Sequence, residues 1–230
     1  MQRPGLYVRR SQLAEFETVG GDRALSCVTG AQTLGELAQD LSLVDLVPLV
    51  DCALAAGTSA QDIAAVAMRR GRGARMLRRA LNLADPRSES WWESVLRLMH
   101  VLTGLGPVEC QVEIYACGTL VARADLHLVG TRRYPECDGA EHRSRDRHQR
   151  DLARDKDMAR LGLQRYGYST TEIAYRPGTV IADAETARGL APDPRRLQGW
   201  WRLARLSTLT AVGRRRLTER LERYQRAANR

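Results

Sequence analysis

Between residues 110 and 129 the chain abandons helical spacing and alternates. Two short apolar runs, 110–115 and 120–129, are joined by Ala116-Cys117-Gly118-Thr119, the pattern of two antiparallel strands closed by a turn. Successive strand side chains point to opposite faces. Leu120, Ala122, Ala124, Leu126 and Leu128 therefore share one face, and Val121, Arg123, Asp125 and His127 the other. The apolar face needs cover, and the flanking sequence offers it. A helix capped by Ser88 runs to about Leu102 and stops at Gly104-Leu105-Gly106-Pro107, while 144–162 is dense in charge and helical in period. Residues 132–138 make a plausible third strand. The order helix, hairpin, strand, helix predicts a mixed α/β layer arrangement.

Upstream, 6–32 contains short strand-like pieces around Gly20-Gly21. From Thr33 the period becomes helical, with Thr33-Leu34-Gly35-Glu36 as a capping box. Further helices open at Ser42 and Ser59, and an Arg-studded one reaches Leu83 before Asp85-Pro86. The expected organisation is a strand-like linker with a small helical module over 1–86, an α/β domain over 87–180, and an Arg-rich helical extension over 181–230.

Composition excludes several classes. With 43% hydrophobic and 27% charged residues the chain has the means to form a core. No segment offers 18 uninterrupted apolar residues and the N-terminus has no signal-like core, so a cytoplasmic protein that does not enter a membrane is expected. Five scattered cysteines without a Cys-x-x-Cys pair argue against a disulfide framework or a zinc site. P-loop, zincin and α/β-hydrolase motifs are absent.

The formal net charge is +9, and it is concentrated at one end. Residues 195–230 carry eleven arginines against Glu219 and Glu222, which accounts for all of it. A basic tail on a neutral body suggests a polyanionic partner, with DNA the expectation. Arg214, Arg215, Arg216, Arg220 and Arg223, around a helix ribbed by Leu217, Leu221 and Tyr224, are the candidate phosphate contacts. General arginine preference is the competing explanation, since Lys156 is the only lysine.

Eleven residues beyond Asp125, Glu136 and Asp138 sit two apart in the third strand and share a face, with Cys137 opposite. Carboxylates on adjacent strands form a hard-oxygen site for Mg²⁺ or Mn²⁺, which can promote phosphodiester hydrolysis. The plainer alternative is a solvated polar face.

Several segments carry a resemblance: Glu93 on its helix, Ala124-Asp125-Leu126, Glu136-Cys137-Asp138-Gly139-Ala140-Glu141-His142, and the charged stretch through Asp151, Arg154 and Asp155. Together with Gly130-Thr131-Arg132-Arg133 and Gln164-Arg165-Tyr166-Gly167-Tyr168, they resemble the uncharacterised endonuclease-like branch of the PD-(D/E)XK superfamily, which is similar to very-short-patch repair endonucleases. The resemblance implies a restriction-endonuclease-like mixed sheet flanked by helices, and a Mg²⁺- or Mn²⁺-dependent endonuclease acting on DNA. It implies that Asp125 and Glu136 are metal ligands and Glu93 an auxiliary carboxylate, with Asp138, the third carboxylate of the metal site read from the strand faces, standing where the superfamily has its lysine. His142 is a candidate general base, or alternatively a helix-capping or surface histidine. Pro135 departs from the pattern of a central strand and points to an edge. The alternative function is a catalytically silent nucleic-acid-binding or toxin–antitoxin-related regulator on the same fold.

Overall fold

The computed structural model describes residues 18–20, 26–69, 71–138 and 154–228. In chain order the elements are β1 (Thr18–Gly20), β2 (Ser26–Val28), α1 (Gly30–Leu37), α2 (Leu43–Ala55), α3 (Ala60–Met68), α4 (Ala74–Leu83) and α5 (Trp91–Leu102). Next come β3 (Val108–Ala116), β4 (Thr119–Leu128), β5 (Arg133–Asp138), α6, described over 154–160, and β6 (Gln164–Ser169). The chain closes with α7 (Thr170–Tyr175), α8 (Pro177–Ala187), α9 (Pro194–Ala204) and α10 (Ala211–Ala228). This is a mixed α/β protein, and no helix among the described residues is long and apolar enough to cross a membrane.

Two compact units emerge, one made of Met1–Ala84 with Leu203–Arg230, the other of Asp85–Arg202. The first cut falls beside the expected 86/87 boundary. The extension expected over 181–230 does not form a third body but divides, because Asp45 and Asp40 bind the end of the chain. Asp45, buried on α2, accepts from Ser207 Oγ at 2.7 Å, Thr208 N–H at 3.0 Å and Thr208 Oγ1 at 2.7 Å. Asp40 accepts from Tyr224 Oη at 2.8 Å and pairs with Arg220. The first helix also begins earlier than its sequence pattern suggests. Thr29, rather than Thr33, caps α1 by accepting the Gln32 N–H, and the Thr33 hydroxyl turns back to the Thr29 carbonyl.

In the second unit, α5 buries Val95, Leu96, Leu98 and Met99 completely. Each such side chain contributes roughly 1.5–3 kcal/mol relative to exposure. Its cap is Ser90, not the expected Ser88, whose hydroxyl instead accepts from Arg97 Nε. The expected hairpin is present as antiparallel β3–β4, with Ala122, Ala124, Leu126 and Leu128 buried, although Leu120, beside the turn, is exposed. Ile114, Ala122, Ala124, Tyr134 and Met158 form one apolar cluster, so β3, β4, β5 and α6 share a core.

The single mixed sheet expected here is two sheets instead. β3 bonds to β4, and β5 bonds in parallel to β6. Three backbone positions explain the break. Gln164 N–H donates to the Arg132 carbonyl, so the even-numbered residues of β5 face β6 and Arg133, Pro135 and Cys137 face away. Arg133 N–H is taken by Thr131 Oγ1, Pro135 has none, and Cys137 N–H is taken by the Asp125 carboxylate. The edge character read from Pro135 is thus real on this side of the strand.

Candidate active site

Four elements of the second unit bring acidic side chains together: α5 supplies Glu93, β4 Asp125, and β5 Glu136 and Asp138, with β6 closing the far side. Glu93 is buried, and its Oε2 accepts from Glu89 N–H at 3.0 Å and from Gln111 Nε2 at 2.9 Å. Gln111 would face Asp125 across the hairpin, between the Cys110–Leu126 and Val112–Ala124 pairs, but drops out of the ladder with φ of +53°. That left-handed conformation is uncommon for a non-glycine residue and costs of order 1 kcal/mol.

Asp125 is half-buried, and its Oδ2 accepts the Cys137 N–H at 2.9 Å. Burial is the chief reason that its pKa is pushed up to about 6; the Cys137 N–H opposes the shift, while Glu93 and Glu136 reinforce it and Arg154 opposes it. The neighbouring Cys137 thiol is pushed up to about 12, by burial and then by Asp125.

Glu136 is 3% exposed. Its Oε2 receives Arg154 Nη2 at 3.0 Å and Arg165 Nε, whereas its Oε1 is buried with no hydrogen-bond partner among the described residues. Arg165, from β6, also reaches Asp138 Oδ1 at 2.9 Å and Asp155. Asp138 lies over Gly167, where a Cβ would stand 2.2 Å from its Oδ2. A side chain at 167 would expel Asp138 from this position.

Glu93 and Glu136 are therefore close enough for their charges to act on Asp125, while Arg165 is shared between Glu136 and Asp138. Among the described residues no three His, Cys, Asp or Glu side chains are grouped tightly enough to enclose a metal ion by themselves. His142 lies outside the described residues, as do Glu141 and Asp151. Arg165 and Gln111 acquired no role from sequence. A glycine between Tyr166 and Tyr168 in a strand was the available signal, since it marks a close approach from a neighbour.

The tail arginines are not equivalent either. Arg214 Nη1 donates to the Thr208 carbonyl at 2.7 Å, Arg220 pairs with Asp40, and Arg215 and Arg223 are exposed. No family model matches the chain, and no curated protein or solved structure matches it.

Proposed function

We propose that the second unit is a Mg²⁺-dependent endonuclease-like domain that hydrolyses DNA phosphodiesters. One observation carries the reading: a desolvated carboxylate pair, Asp125 on β4 and Glu136 on β5, in which Asp125 is held well above the usual carboxylate pKa and Glu136 keeps a buried oxygen without a partner among the described residues. Arg154 and Arg165 compensate Glu136, but among the described residues Asp125 makes no ion pair, and a largely desolvated carboxylate without one is costly. Mg²⁺ characteristically binds through one or two carboxylates, with waters and phosphate oxygens completing its shell, so these residues fit it without Asp138. The order α5, β3–β4, β5, α6, β6 is also in keeping with the restriction-endonuclease-like arrangement implied by the resemblance.

In this proposal Asp125 and Glu136 hold the cation, which supplies Lewis-acid polarisation of a phosphodiester. Glu93, fixed by Gln111 and Glu89, keeps the local potential negative behind Asp125. Arg165 orients Glu136 and Asp138. His142 is proposed as the group that accepts a proton from the attacking water. The Arg-rich tail is proposed to hold DNA through its phosphates.

One observation favours the alternative of a catalytically silent DNA-binding regulator: Arg154 and Arg165 already neutralise Glu136. Incubation of purified protein with supercoiled, nicked, mismatched and single-stranded DNA, with Mg²⁺, Mn²⁺ or chelator, separates the two. Cleavage abolished by chelator supports the nuclease; DNA binding without cleavage under any metal supports the regulator.

A further inference from the structure

The first unit contains a cavity of about 650 Å³ lined by five arginines. Its polar wall consists of Arg72, Arg75 and Arg79 from the α4 region and Arg216 and Arg220 from α10, and its apolar patch of Ala38, Leu41 and Met76. All of these residues lie within that unit.

The arginines are gathered by helical spacing and by a close approach of backbones. Arg75 and Arg79 are four apart on α4, and Arg216 and Arg220 four apart on α10, so each helix presents a like-charged pair to the same space. The α4 cap, Gly73, has φ of +86° and would place a Cβ 2.8 Å from Gln39 N. Only glycine lets α4 begin so close to the chain that follows α1. Gly73 also provides no side-chain cap, so apart from Ala74 N–H, which reaches the Gly71 carbonyl at 3.4 Å, the positive end of α4 is uncapped among the described residues.

Asp40 neutralises one member of this wall and leaves the other four. Asp40 is committed to Arg220 and Tyr224. Among the described residues, no carboxylate pairs with Arg72, Arg75, Arg79 or Arg216. Like-charged side chains converging on one cavity repel one another, and an anion relieves that repulsion.

We infer that this cavity is a binding site for a nucleotide-sized phosphomonoester. Arginine forks and an open helix N-terminus are matched to phosphate oxygens. The volume greatly exceeds that of one phosphate group and lies within the range of small-molecule sites. Leu41 and Met76 give a flat ring an apolar surface, with the methionine sulfur suited to an aromatic neighbour. The site concerns the first unit alone and does not depend on the carboxylates of the nuclease reading, although Arg216 and Arg220 also belong to the tail proposed to hold DNA.

Calorimetric titration of the full chain with adenosine 5′-monophosphate tests it. One equivalent binds; adenosine, lacking the phosphate, binds at least about tenfold more weakly; and Arg75→Gln or Arg216→Gln each weakens the nucleotide by about tenfold or more. Arg160→Gln, an equal loss of charge on the surface of the other unit, leaves the affinity unchanged. A 5′-phosphorylated tetranucleotide that binds more tightly than the mononucleotide assigns the ligand to a strand end, and the reverse order to a free nucleotide. Arg75 is exposed, so its variant keeps the fold, as thermal unfolding verifies, and carries the test even if Arg216→Gln does not. No nucleotide binding, equal affinity for adenosine, or wild-type affinity in Arg75→Gln overturns the proposal.

Discussion

Asp125 Oδ2 accepts the backbone N–H of Cys137 at 2.9 Å, so the residue proposed to hold a metal also occupies the place of a ladder bond between β4 and β5. The hydrogen bond fixes Asp125 beside Glu136, but burial still makes its charge unfavourable. Its pKa in the fold is about 6, against an ordinary value of 3.8. Between these values the folded chain binds more protons than the unfolded one, so this group's contribution to stability is fully present below about pH 4 and is lost as pH rises through about 6. The shift corresponds to at most about 3 kcal/mol, reduced by partial solvation of the side chain. Asp125→Asn keeps an acceptor for Cys137 and removes the charge. Urea unfolding should show the variant about 1–2 kcal/mol more stable than wild type at pH 7 and nearly equal at pH 4. Identical pH profiles would mean that Asp125 is not held ionised at a cost.

Arg165 is the link among Glu136, Asp138 and Asp155. Removing it leaves a buried Glu136 with Arg154 as its remaining described ion pair. Arg165→Gln should destabilise the protein by about 3 kcal/mol, and Arg165→Lys by nearly as much, because an ammonium cannot reproduce the guanidinium fork. Denaturant midpoints measure this; a lysine variant equal to wild type would show that charge alone suffices.

Much of this site was legible in the sequence, and the reasons are local. Alternation on β4 placed Asp125 on the polar face, and the two-residue spacing placed Glu136 and Asp138 on one side of β5. The arrangement of β5 was not legible as a whole. Pro135 signalled an edge, but the loss of the other two N–H groups depends on Thr131 and on Asp125, and the latter hydrogen bond bridges separate strands. Ser88 and Thr33 fit the cap pattern without being caps for a similar reason: Ser90 and Thr29 are equally good caps nearby, and interactions with Arg97 and Cys110 claim Ser88. Asp138 falls at the expected position, yet its partner Arg165 comes from β6, 27 residues away.

The end of the chain is fastened by Asp45, which has no counterpart in local sequence signals. It accepts from Ser42, Ser207 and Thr208 while 5% exposed. Asp45→Ala leaves those hydroxyls and the Thr208 N–H without their acceptor, at a cost of about 3 kcal/mol. Hydrogen–deuterium exchange should quicken at Thr208 and Leu209 and leave β3–β4 unchanged. Unaltered protection at Thr208 would contradict the fastening role.

Exposed arginines and paired ones should respond differently to substitution. Arg215→Gln with Arg223→Gln should lower the slope of log affinity for duplex DNA against log salt by about 0.9 for each phosphate no longer neutralised, with no loss of stability. Arg220→Gln should instead lower the unfolding midpoint, because it strips Asp40 of its ion pair. Fluorescence anisotropy across a salt series, beside thermal unfolding, distinguishes the two; an unchanged slope in the double variant would make those charges merely solvating.

The nuclease proposal rests on Asp125 and Glu136 acting together on a cation, and one assay addresses that directly. Relaxation of supercoiled plasmid in Mg²⁺ is compared for wild type, Asp125→Asn and Glu136→Gln, each verified as folded. Wild type should nick or cut the plasmid, and both variants should lose the activity by at least about 10²-fold while retaining DNA affinity, since an amide removes a hard anionic ligand but leaves in place the tail arginines proposed to contact the phosphates. Cleavage by Asp125→Asn at the wild-type rate, or no cleavage by wild type with either Mg²⁺ or Mn²⁺, would contradict the proposal.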